Sequence, residues 1–368
     1  MKFFKLIVCT LLFAFMTLTS NAQAMQPLRL GVAGLTHDHI AFLMNRNNTG
    51  DIRIVGIYEP NTELAYSYAK KWKFDTSLIY TDLNKMLDAA KPEAVVAFGS
   101  VFDHLQVVKA CAPRHIHVMV EKPLAVNEAH AKEMADLAKQ NNIILLTDFE
   151  TSWYPTTAKA YTLINDSSFV GNIKKVVIHD GHRGPKEIGC TKEFLNWLTD
   201  PELNGGGALV DFGCYGANIM TSLMHGQKPL SVTAVTRHYK PLVYPKVEDD
   251  ATIIVDYPTS QCIIQASWNW PFSRKDMEIY GDKGYIITTD KNNMRIKNKE
   301  SEPEQQKYIS ATDVDVYEDP FAYFINVVRG KIKVPEYGFY SLENNLMVVK
   351  ILEAAKLSAK TGTTVKLQ

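Results

Sequence analysis

The stretch 204–218 combines residue types and spacings that suit chemistry. Three consecutive glycines there precede a run of small and apolar residues. If this run forms one helix, Asp211, Tyr215 and Asn218 occupy positions i, i+4 and i+7 and share a face. Two glycines inside the run would each cost roughly 1 kcal/mol of helix propensity relative to alanine, which indicates a close backbone approach. A tightly packed helix with a hydrogen-bonded aspartate explains the spacing equally well.

A second group of interest is Glu121-Lys122-Pro123, which directly follows the apolar segment 117–120. The proline restricts Lys122 to an extended backbone. We expect the charged pair at the end of a buried strand, where the lysine would present its ammonium group to a cofactor or substrate. The alternative is a surface ion pair that precedes a helix.

A third polar cluster, residues 179–183, follows the strand predicted at 173–178. We favour recognition of substrate hydroxyl groups by His179, His182 and Arg183; a metal site and a structural loop are the alternatives. Trp197, on a short helix predicted at 193–198, is expected to cover the same cleft.

Composition limits the class of protein. The chain has 368 residues, of which 46% are hydrophobic and 22% charged, and its formal net charge is zero. This length accommodates two domains with ordinary cores. A zero net charge provides no general attraction to nucleic acid or to an anionic membrane surface. The cysteines after residue 24 are scattered, so we expect free buried thiols, and no ligand spacing indicates a metal site.

Residues 1–24 have the pattern of a signal peptide. Lys2 and Lys5 precede an apolar run from about Leu6 to Leu18, and the segment 22–24 supplies an A-x-A cleavage site. The apolar run is too short for a membrane span, which needs about 20 residues. We therefore expect cleavage after Ala24 and export of the mature protein to the periplasm, free of the membrane.

The region 25–149 alternates short apolar strands with helical patterns, which predicts a doubly wound parallel sheet that binds its ligand at the carboxyl ends of the strands. Its first strand ends at Gly34, as at the opening of a dinucleotide-binding unit, although Thr36 and His39 stand where that motif has further glycines. Glu59 follows the second strand and suits hydrogen bonds to ribose hydroxyls, which favours NAD over NADP. A surface glutamate before a turn is the alternative.

The region 150–368 predicts a second domain. Apolar alternation indicates successive antiparallel strands at 231–237, 251–257, 261–268, 277–280 and 285–289. The expected fold is thus α/β: an N-terminal Rossmann domain with a doubly wound parallel sheet, followed by a C-terminal α+β domain with an open, mainly antiparallel sheet.

Together these features resemble the Gfo/Idh/MocA oxidoreductases, a family named for glucose–fructose oxidoreductase and inositol dehydrogenase. The resemblance covers nearly the whole chain after residue 24 and rests on the Gly34 turn, Glu59, His104, the segment 121–123 and the stretch 205–218. It implies NAD bound between the two domains and subunit contacts through the open face of the second sheet. The cofactor contacts then expected are Gly34, Leu35, Thr36, His37, Glu59, Ser100, His104, Glu121 and Lys122. The substrate contacts expected are His37, His179, His182, Arg183, Trp197, Asp211 and Tyr215.

By this resemblance, Lys122 corresponds to the family's catalytic or substrate-orienting lysine and Asp211 to its aspartate, while Tyr215 stands where many members carry histidine. Oxidation of an alcohol needs a base for the hydroxyl proton and a path for the hydride. The pKa of free tyrosine is about 10, too high for an efficient base at neutral pH. We expect the Lys122 ammonium group to lower the pKa of Tyr215, and Asp211 to orient the pair.

The predicted function is that of an exported NAD(H)-dependent oxidoreductase acting on a CH–OH group of a sugar, polyol or glycoside. Because free NAD is scarce outside the cytoplasm, we expect a tightly bound cofactor that a second substrate recycles. One alternative is NAD-dependent glycoside hydrolysis through transient oxidation at C3. Another is a non-catalytic sugar or nucleotide sensor, against which the presence of both Lys122 and Tyr215 argues.

Overall fold

The computed structural model describes residues 26–166 and 168–367. The predicted signal peptide, residues 1–24, lies outside the described residues. The described chain forms two sheets, one wholly parallel and one mainly antiparallel. The predicted fold class is confirmed.

The first sheet has the strand order β3-β2-β1-β4-β5-β6, and all neighbouring strands are parallel. Its strands are β1 (Leu28–Ala33), β2 (Ile52–Tyr58), β3 (Ile79–Tyr80), β4 (Ala94–Ala97), β5 (His117–Glu121) and β6 (Leu145–Asp148). All four residues of β4 are buried, as expected for a central strand covered on both faces. The strand order reverses between β1 and β4, which opens a crevice at the carboxyl edge of the sheet.

Five helices connect these strands: α1 (Ile40–Met44), α2 (Thr62–Trp72), α3 (Leu83–Ala90), α4 (His104–Cys111) and α5 (Glu128–Gln140). Three of them begin with a side-chain cap. Asn61, Asp82 and Asn127 each accept a hydrogen bond from the backbone N–H three residues further on. Such caps satisfy donors that the first turn of a helix leaves unpaired, so they define where these helices begin.

The second sheet has the order β14-β13-β12-β11-β7-β10-β9-β8-β15. Its strands are β7 (Ile173–Gly181), β8 (Ser231–Arg237), β9 (Asp250–Asp256), β10 (Gln261–Ser267), β11 (Arg274–Gly281), β12 (Tyr285–Thr288), β13 (Asn293–Lys297), β14 (Gln305–Tyr308) and β15 (Val365–Lys366). Strand β7 lies between β10 and β11 and pairs with β10 in parallel. Residues of β9 and β10 alternate between buried and half-buried, so one face carries the core and the other stays open.

The helices of this half are α6 (Pro155–Asn165), α7 (Lys192–Leu198), α8 (Ala208–Asp211), α9 (Gly213–Leu223), α10 (Pro320–Val328) and α11 (Leu342–Thr361). The expectation of a single helix across residues 208–218 is wrong, because the helix is interrupted at Phe212, between α8 and α9. The expected close approach is present. A Cβ atom on Gly216 would lie 2.6 Å from a side-chain methyl of Ile264 on β10, so only glycine lets α9 pack this tightly against the sheet.

The two C-terminal helices connect the halves of the molecule. Phe321 and Phe324 of α10 pack in the same apolar cluster as Leu28 and Leu30 of β1. Helix α11 contributes Val349 to the core beside the parallel sheet and other residues to the core of the second sheet. Among the described residues, no helix combines the length and apolar character needed to cross a membrane.

Candidate active site

A buried ion pair joins the two halves of the molecule at the end of β5. The Nζ atom of Lys122 lies 2.5 Å from Oδ1 of Asp211 and also donates to the Asp211 carbonyl oxygen at 3.2 Å. The indole Nε1 of Trp268 donates to the other carboxylate oxygen at 2.9 Å. Lys122 is 5% exposed and Asp211 4%. Both oxygens of the carboxylate are therefore held, and the position of the lysine is fixed.

Each member of this pair keeps the other ionised. Burial acts to lower the pKa of the Lys122 ammonium group, but Asp211 raises it above its usual value. Burial likewise acts to raise the pKa of Asp211, but Lys122 holds it below its usual range. At neutral pH Lys122 is thus a fixed positive charge and a hydrogen-bond donor rather than a base.

Tyr215 lies four residues after Asp211, in the first turn of α9, and is fully buried. The Nζ atoms of Lys122 and Lys275 lie 5.4 Å and 4.8 Å from its ring centroid. Burial, followed by the negative charge of Glu150, nevertheless raises the pKa of Tyr215 well above its usual value. The expectation that Lys122 lowers this pKa is therefore wrong, because burial and the nearby carboxylates outweigh the stabilisation that an ammonium group gives the phenolate. Tyr215 is present as the neutral phenol, which can donate a proton.

Lys275 and Glu150 form a second ion pair that sequence reasoning missed. Lys275 extends from β11 to the carboxylate of Glu150, which follows β6. The hydroxyl of Tyr154 donates to the other oxygen of Glu150 at 2.6 Å. Burial opposes ionisation of Glu150, but Lys275 lowers its pKa to about 2. A lysine in an amphipathic strand is common on sheet surfaces, so its sequence context carries no signal for this role.

A cavity of about 620 Å³ lies between the carboxyl edge of the first sheet and the adjoining ends of β7 and β11. Its lining includes Asp38, His39, Lys122, Glu150, Tyr154, His182, Asp211, Phe212, Tyr215, Arg274 and Lys275. Both ion pairs and Tyr215 thus line the same cavity. A concave site of this size with a few converging polar groups suits a small polar ligand.

The carboxyl edge of the first sheet has features that fit a dinucleotide. Gly34 has a φ of +85°, and a Cβ atom there would lie 2.7 Å from the backbone nitrogen of Gly99, so the turn after β1 requires glycine. Glu59, at the end of β2, accepts hydrogen bonds from the N–H groups of Leu35 and Asn61. These bonds point the buried carboxylate at the same turn, where a ribose is expected to lie.

The pyrophosphate position also has donors. In the described part of the chain, the backbone N–H groups of Thr36 and Asp38 donate to no protein acceptor. N–H groups of this kind in a turn between a strand and a helix suit phosphate oxygens. The residues present therefore fit NAD, even though Thr36 and His39 replace two glycines of the usual motif.

The remaining cofactor residues expected from sequence lie along this edge in supporting roles. Ser100 caps the short helical turn after β4 through reciprocal hydrogen bonds with Asp103. His104 is buried, and its Nδ1 lies 3.2 Å from the carbonyl oxygen of Leu124, so it supports the segment after Lys122. Glu121 is buried beside His39, with its two carboxylate oxygens each 3.1 Å from the Nδ1 of that histidine.

His37, His39 and Glu121 bring three possible metal ligands within 4.8 Å of one another. The backbone N–H of His39, however, donates to Nδ1 of His37 at 3.1 Å. The proton of a neutral His37 ring therefore lies on Nε2, the nitrogen that faces Glu121 at 3.8 Å. A protonated Nε2 cannot bind a metal ion, so the hydrogen bonding of this cluster favours a role in holding the turn after β1.

Several expected substrate residues lie away from the cavity lining. His179 bonds to Asp276 on the neighbouring strand at 3.0 Å. Arg183 is exposed, and His37 and Trp197 pack against each other with their ring centroids 5.4 Å apart. Helix α7 therefore covers the turn after β1 with Trp197 and contributes Phe194 to the lining of the cavity. Asn218 donates to the carbonyl oxygen of Phe339 and also faces away from the cavity.

Gly181 and His182 are the members of the 179–183 cluster on the cavity lining, and His182 supplies the functional side chain. Its Nδ1 accepts a hydrogen bond from the N–H of Gly184 at 2.9 Å, which leaves the proton of the neutral ring on Nε2. Burial lowers the pKa of His182 to about 4, partly offset by Asp211. His182 is therefore a neutral hydrogen-bond donor at neutral pH.

This assignment predicts an acid-sensitive component of stability. Because the folded-state pKa of His182 lies below the unfolded value of about 6.5, its stabilising contribution is complete above pH 6.5 and is lost as the pH falls through about 4. NMR titration of ¹³C-labelled histidine should show a His182 signal with a midpoint near pH 4, and the variant His182→Gln identifies the signal. A midpoint at or above pH 6.5 would contradict the assignment.

Two family models match this chain. One describes an oxidoreductase family with an NAD-binding Rossmann fold and matches residues 28–149; the other describes the GFO/IDH/MocA C-terminal domain and matches residues 158–287. The expected NAD-binding Rossmann domain is confirmed by the first of these matches.

Curated relatives are partial matches. The chain is 31% identical over 193 residues to trans-1,2-dihydrobenzene-1,2-diol dehydrogenase of Xenopus laevis. This match covers 52% of this chain and 54% of the relative. It is 26% identical over 199 residues to D-glucoside 3-dehydrogenase of Escherichia coli K12, covering 53% of each. The matches thus span about half the length of these two relatives.

Solved structures share the fold over almost the whole chain. An aldose-aldose oxidoreductase from Caulobacter crescentus, complexed with glycerol, has a TM-score of 0.77 at 20% identity and covers 93% of this chain and all of its own. An inositol dehydrogenase homolog from Azotobacter vinelandii, complexed with NAD⁺, has a TM-score of 0.78 at 16% identity, with coverage of 93% and 98%. The two family models, which together match well over half of the sequence, identify the chain as a member of the Gfo/Idh/MocA oxidoreductase family.

Proposed function

We propose that this protein is an NAD-dependent oxidoreductase that interconverts a CH–OH group and a carbonyl in a sugar, polyol or glycoside. The observation that carries the proposal is the Lys122–Asp211 pair beside the buried Tyr215 phenol, in a cavity next to the dinucleotide edge of the parallel sheet. The names of the relatives, which are dehydrogenases of a diol and of a glucoside, support the same substrate class.

The groups in the cavity are arranged to handle a proton and a developing negative charge. The Lys122 ammonium group stabilises the substrate oxygen as its O–H bond breaks, or as a carbonyl is polarised for reduction. Asp211 holds that ammonium group in place through a bond of 2.5 Å. Tyr215 exchanges the proton with the substrate oxygen, and the neutral His182 donates a hydrogen bond that orients the ring.

The cofactor would be held by the turn 34–38, with Glu59 on the ribose hydroxyls and Lys122 beside the nicotinamide end. When bound, NAD supplies the acceptor or donor for the hydride. The buried carboxylate of Glu59 would repel a 2′-phosphate, which is why we propose NAD over NADP.

The protonation state of the site affects whether oxidation of an alcohol or reduction of a carbonyl is favoured at a given pH. With Lys122 charged and Tyr215 neutral, both groups are proton donors at neutral pH. This state suits reduction of a carbonyl, whereas oxidation of an alcohol requires one of them to lose its proton first. We propose that the oxidative reaction accelerates as the pH rises and that the reductive one does not.

Export and cofactor recycling remain part of the proposal. The basic start, the short apolar run and the A-x-A segment within residues 1–24 support secretion to the periplasm. A tightly retained cofactor, reduced by one sugar and reoxidised by another, would suit a compartment where free NAD is scarce. Glycoside hydrolysis is not favoured, because the relatives are named for dehydrogenation.

We also propose that the protein forms a homo-oligomer through the open face of the second sheet. An apolar row crosses that face, in which Ile254 pairs with Ile263 and Ile263 with Val177 on the adjacent strand. All three are half-buried within one chain. A second copy is the partner that this extended apolar face suits.

The function is tested on mature protein purified without added nucleotide. The nucleotide released on denaturation is identified by its ultraviolet spectrum and mass, and NADH formation at 340 nm is then followed with a panel of sugars, polyols and glycosides. Stoichiometric NAD(H), or NADH formation with added NAD⁺, is the expected result. If the protein contains no nucleotide, binds no added NAD(H) and turns over no substrate, the proposal is wrong and a sensor function is favoured.

A further inference from the structure

We propose that the cavity continues into a second binding site that takes the aglycone or second sugar of a glycoside, so that glycosides rather than free monosaccharides are the preferred substrates. The inference rests on the proposed function and specifies its substrate class. The second site is a neighbouring cavity of about 960 Å³. It is larger than the first, which holds the catalytic groups.

The two cavities are neighbours that share part of their lining. Glu150, Tyr154 and Lys291 line both of them. Lys275, on the lining of the first cavity, forms an ion pair with the Glu150 carboxylate. The Tyr154 hydroxyl donates a hydrogen bond of 2.6 Å to the same carboxylate. A ligand whose reacting ring lies beside Tyr215 would therefore extend past the Tyr154 ring into the second cavity.

Aromatic rings provide the apolar surface of the second site. Phe42, from α1, is 40% exposed there, and its ring meets the ring of Trp153 edge-on with centroids 5.8 Å apart. Tyr317 lies on the lining of the same cavity. An exposed phenylalanine on a cavity lining with two other aromatic residues is suited to the apolar face of a sugar ring or to a phenyl group.

The polar groups of this site suit an uncharged partner. Arg46 is the arginine on its lining, and both Asp51 and Asp319 bind its guanidinium group at 2.7 Å. The other cation on the lining is Lys291. Carboxylates outnumber the two cations and disfavour an anionic ligand; they belong to Asp51, Glu150, Glu318 and Asp319. Asn47 is exposed on the same lining and supplies amide donors and acceptors that match hydroxyl groups. A neutral glycoside fits this combination better than a charged nucleotide or phosphate.

The test compares each free sugar with its phenyl β-glycoside, using glucose, galactose and xylose as the three pairs. In the NADH assay with the mature protein, kcat/KM for at least one phenyl glycoside should exceed that of its free sugar by about tenfold. The variant Phe42→Leu keeps apolar volume but removes the ring, and it should reduce this ratio to about one to three. Tyr308→Leu, which changes an exposed aromatic residue on β14, is the matched control and should leave the ratio unchanged.

The outcomes separate this inference from the proposed function. Equal kcat/KM within all three pairs, or an unchanged ratio in Phe42→Leu, would overturn the second site while the oxidoreductase function stands. If no sugar yields NADH, the proposed function fails, and isothermal titration of the NAD-loaded protein with the same pairs decides. The second site is supported if a phenyl glycoside binds more tightly than its free sugar and Phe42→Leu weakens that binding. It is overturned if the glycoside and the free sugar bind equally or if neither binds.

Discussion

Replacing Lys122 by methionine is expected to lower kcat/KM by about 10³-fold, within the range that positioned proton-transfer and charge-stabilising groups contribute. The physical reason is that methionine retains most of the volume but removes the charge that faces the substrate oxygen. Steady-state assays of NADH formation measure the loss. The dissociation constant for NADH, measured by fluorescence, should change by less than about tenfold, because the turn and Glu59 at the other end of the nucleotide are untouched.

The matched control is Lys132→Met, which removes an exposed lysine from α5 and should leave kcat/KM within about twofold of wild type. Lys122→Arg is also informative because it keeps the charge while changing its geometry and hydrogen bonding. If Lys122→Met retained more than a tenth of wild-type kcat/KM, the catalytic role assigned to Lys122 would be wrong.

Replacing Asp211 by asparagine is expected to lower the free energy of unfolding by about 3 kcal/mol, because it leaves the buried Lys122 ammonium group without its carboxylate. The change preserves volume, and the remaining amide oxygen can still accept the hydrogen bond from Trp268. Urea denaturation followed by circular dichroism gives the free energy. The activity of the variant should fall as well, since the lysine loses the group that positions it.

The double variant Lys122→Met/Asp211→Asn separates the energy of the pair from its function. It should recover at least half of the stability lost in Asp211→Asn, because removing both charges of a buried pair is less costly than removing one. It should recover no activity. A double variant whose losses are the sum of the two single losses would show that the two charges do not interact, contrary to the distance of 2.5 Å between them.

Local sequence patterns predicted the fold well where the elements are long and apolar. The strands of the parallel sheet and the strands β8 to β12 of the second sheet have clear apolar runs or alternation. Strand β14, with the sequence QQKY, is short and polar and carries no such pattern. Strand β13, NMRIK, alternates polar and apolar residues but over only five positions. The parallel pairing of β7 with β10 depends on contacts between residues more than 80 positions apart, which periodicity does not report.

The site was predictable only where its residues follow recognisable sequence patterns. Lys122 follows the end of a strand, and Asp211 and Tyr215 follow a glycine-rich loop. The structure brings these three residues together. Lys275 comes from a strand with no motif, so only the tertiary fold places it beside Glu150. The direction of the Tyr215 pKa shift also could not be predicted from sequence, because it depends on burial and on which carboxylates lie near the phenol.

The path of the chain through α10 and α11 has a mechanical consequence. After the second sheet is nearly complete, the chain returns to pack Phe321 and Phe324 against the first, and α11 then contributes to the cores of both. Two bodies joined by one linker can swing apart about a hinge, but bodies joined by several packed crossings resist that rotation. Substrate exchange should therefore depend on small movements of loops at the mouth of the cavity rather than on opening of one half of the molecule away from the other.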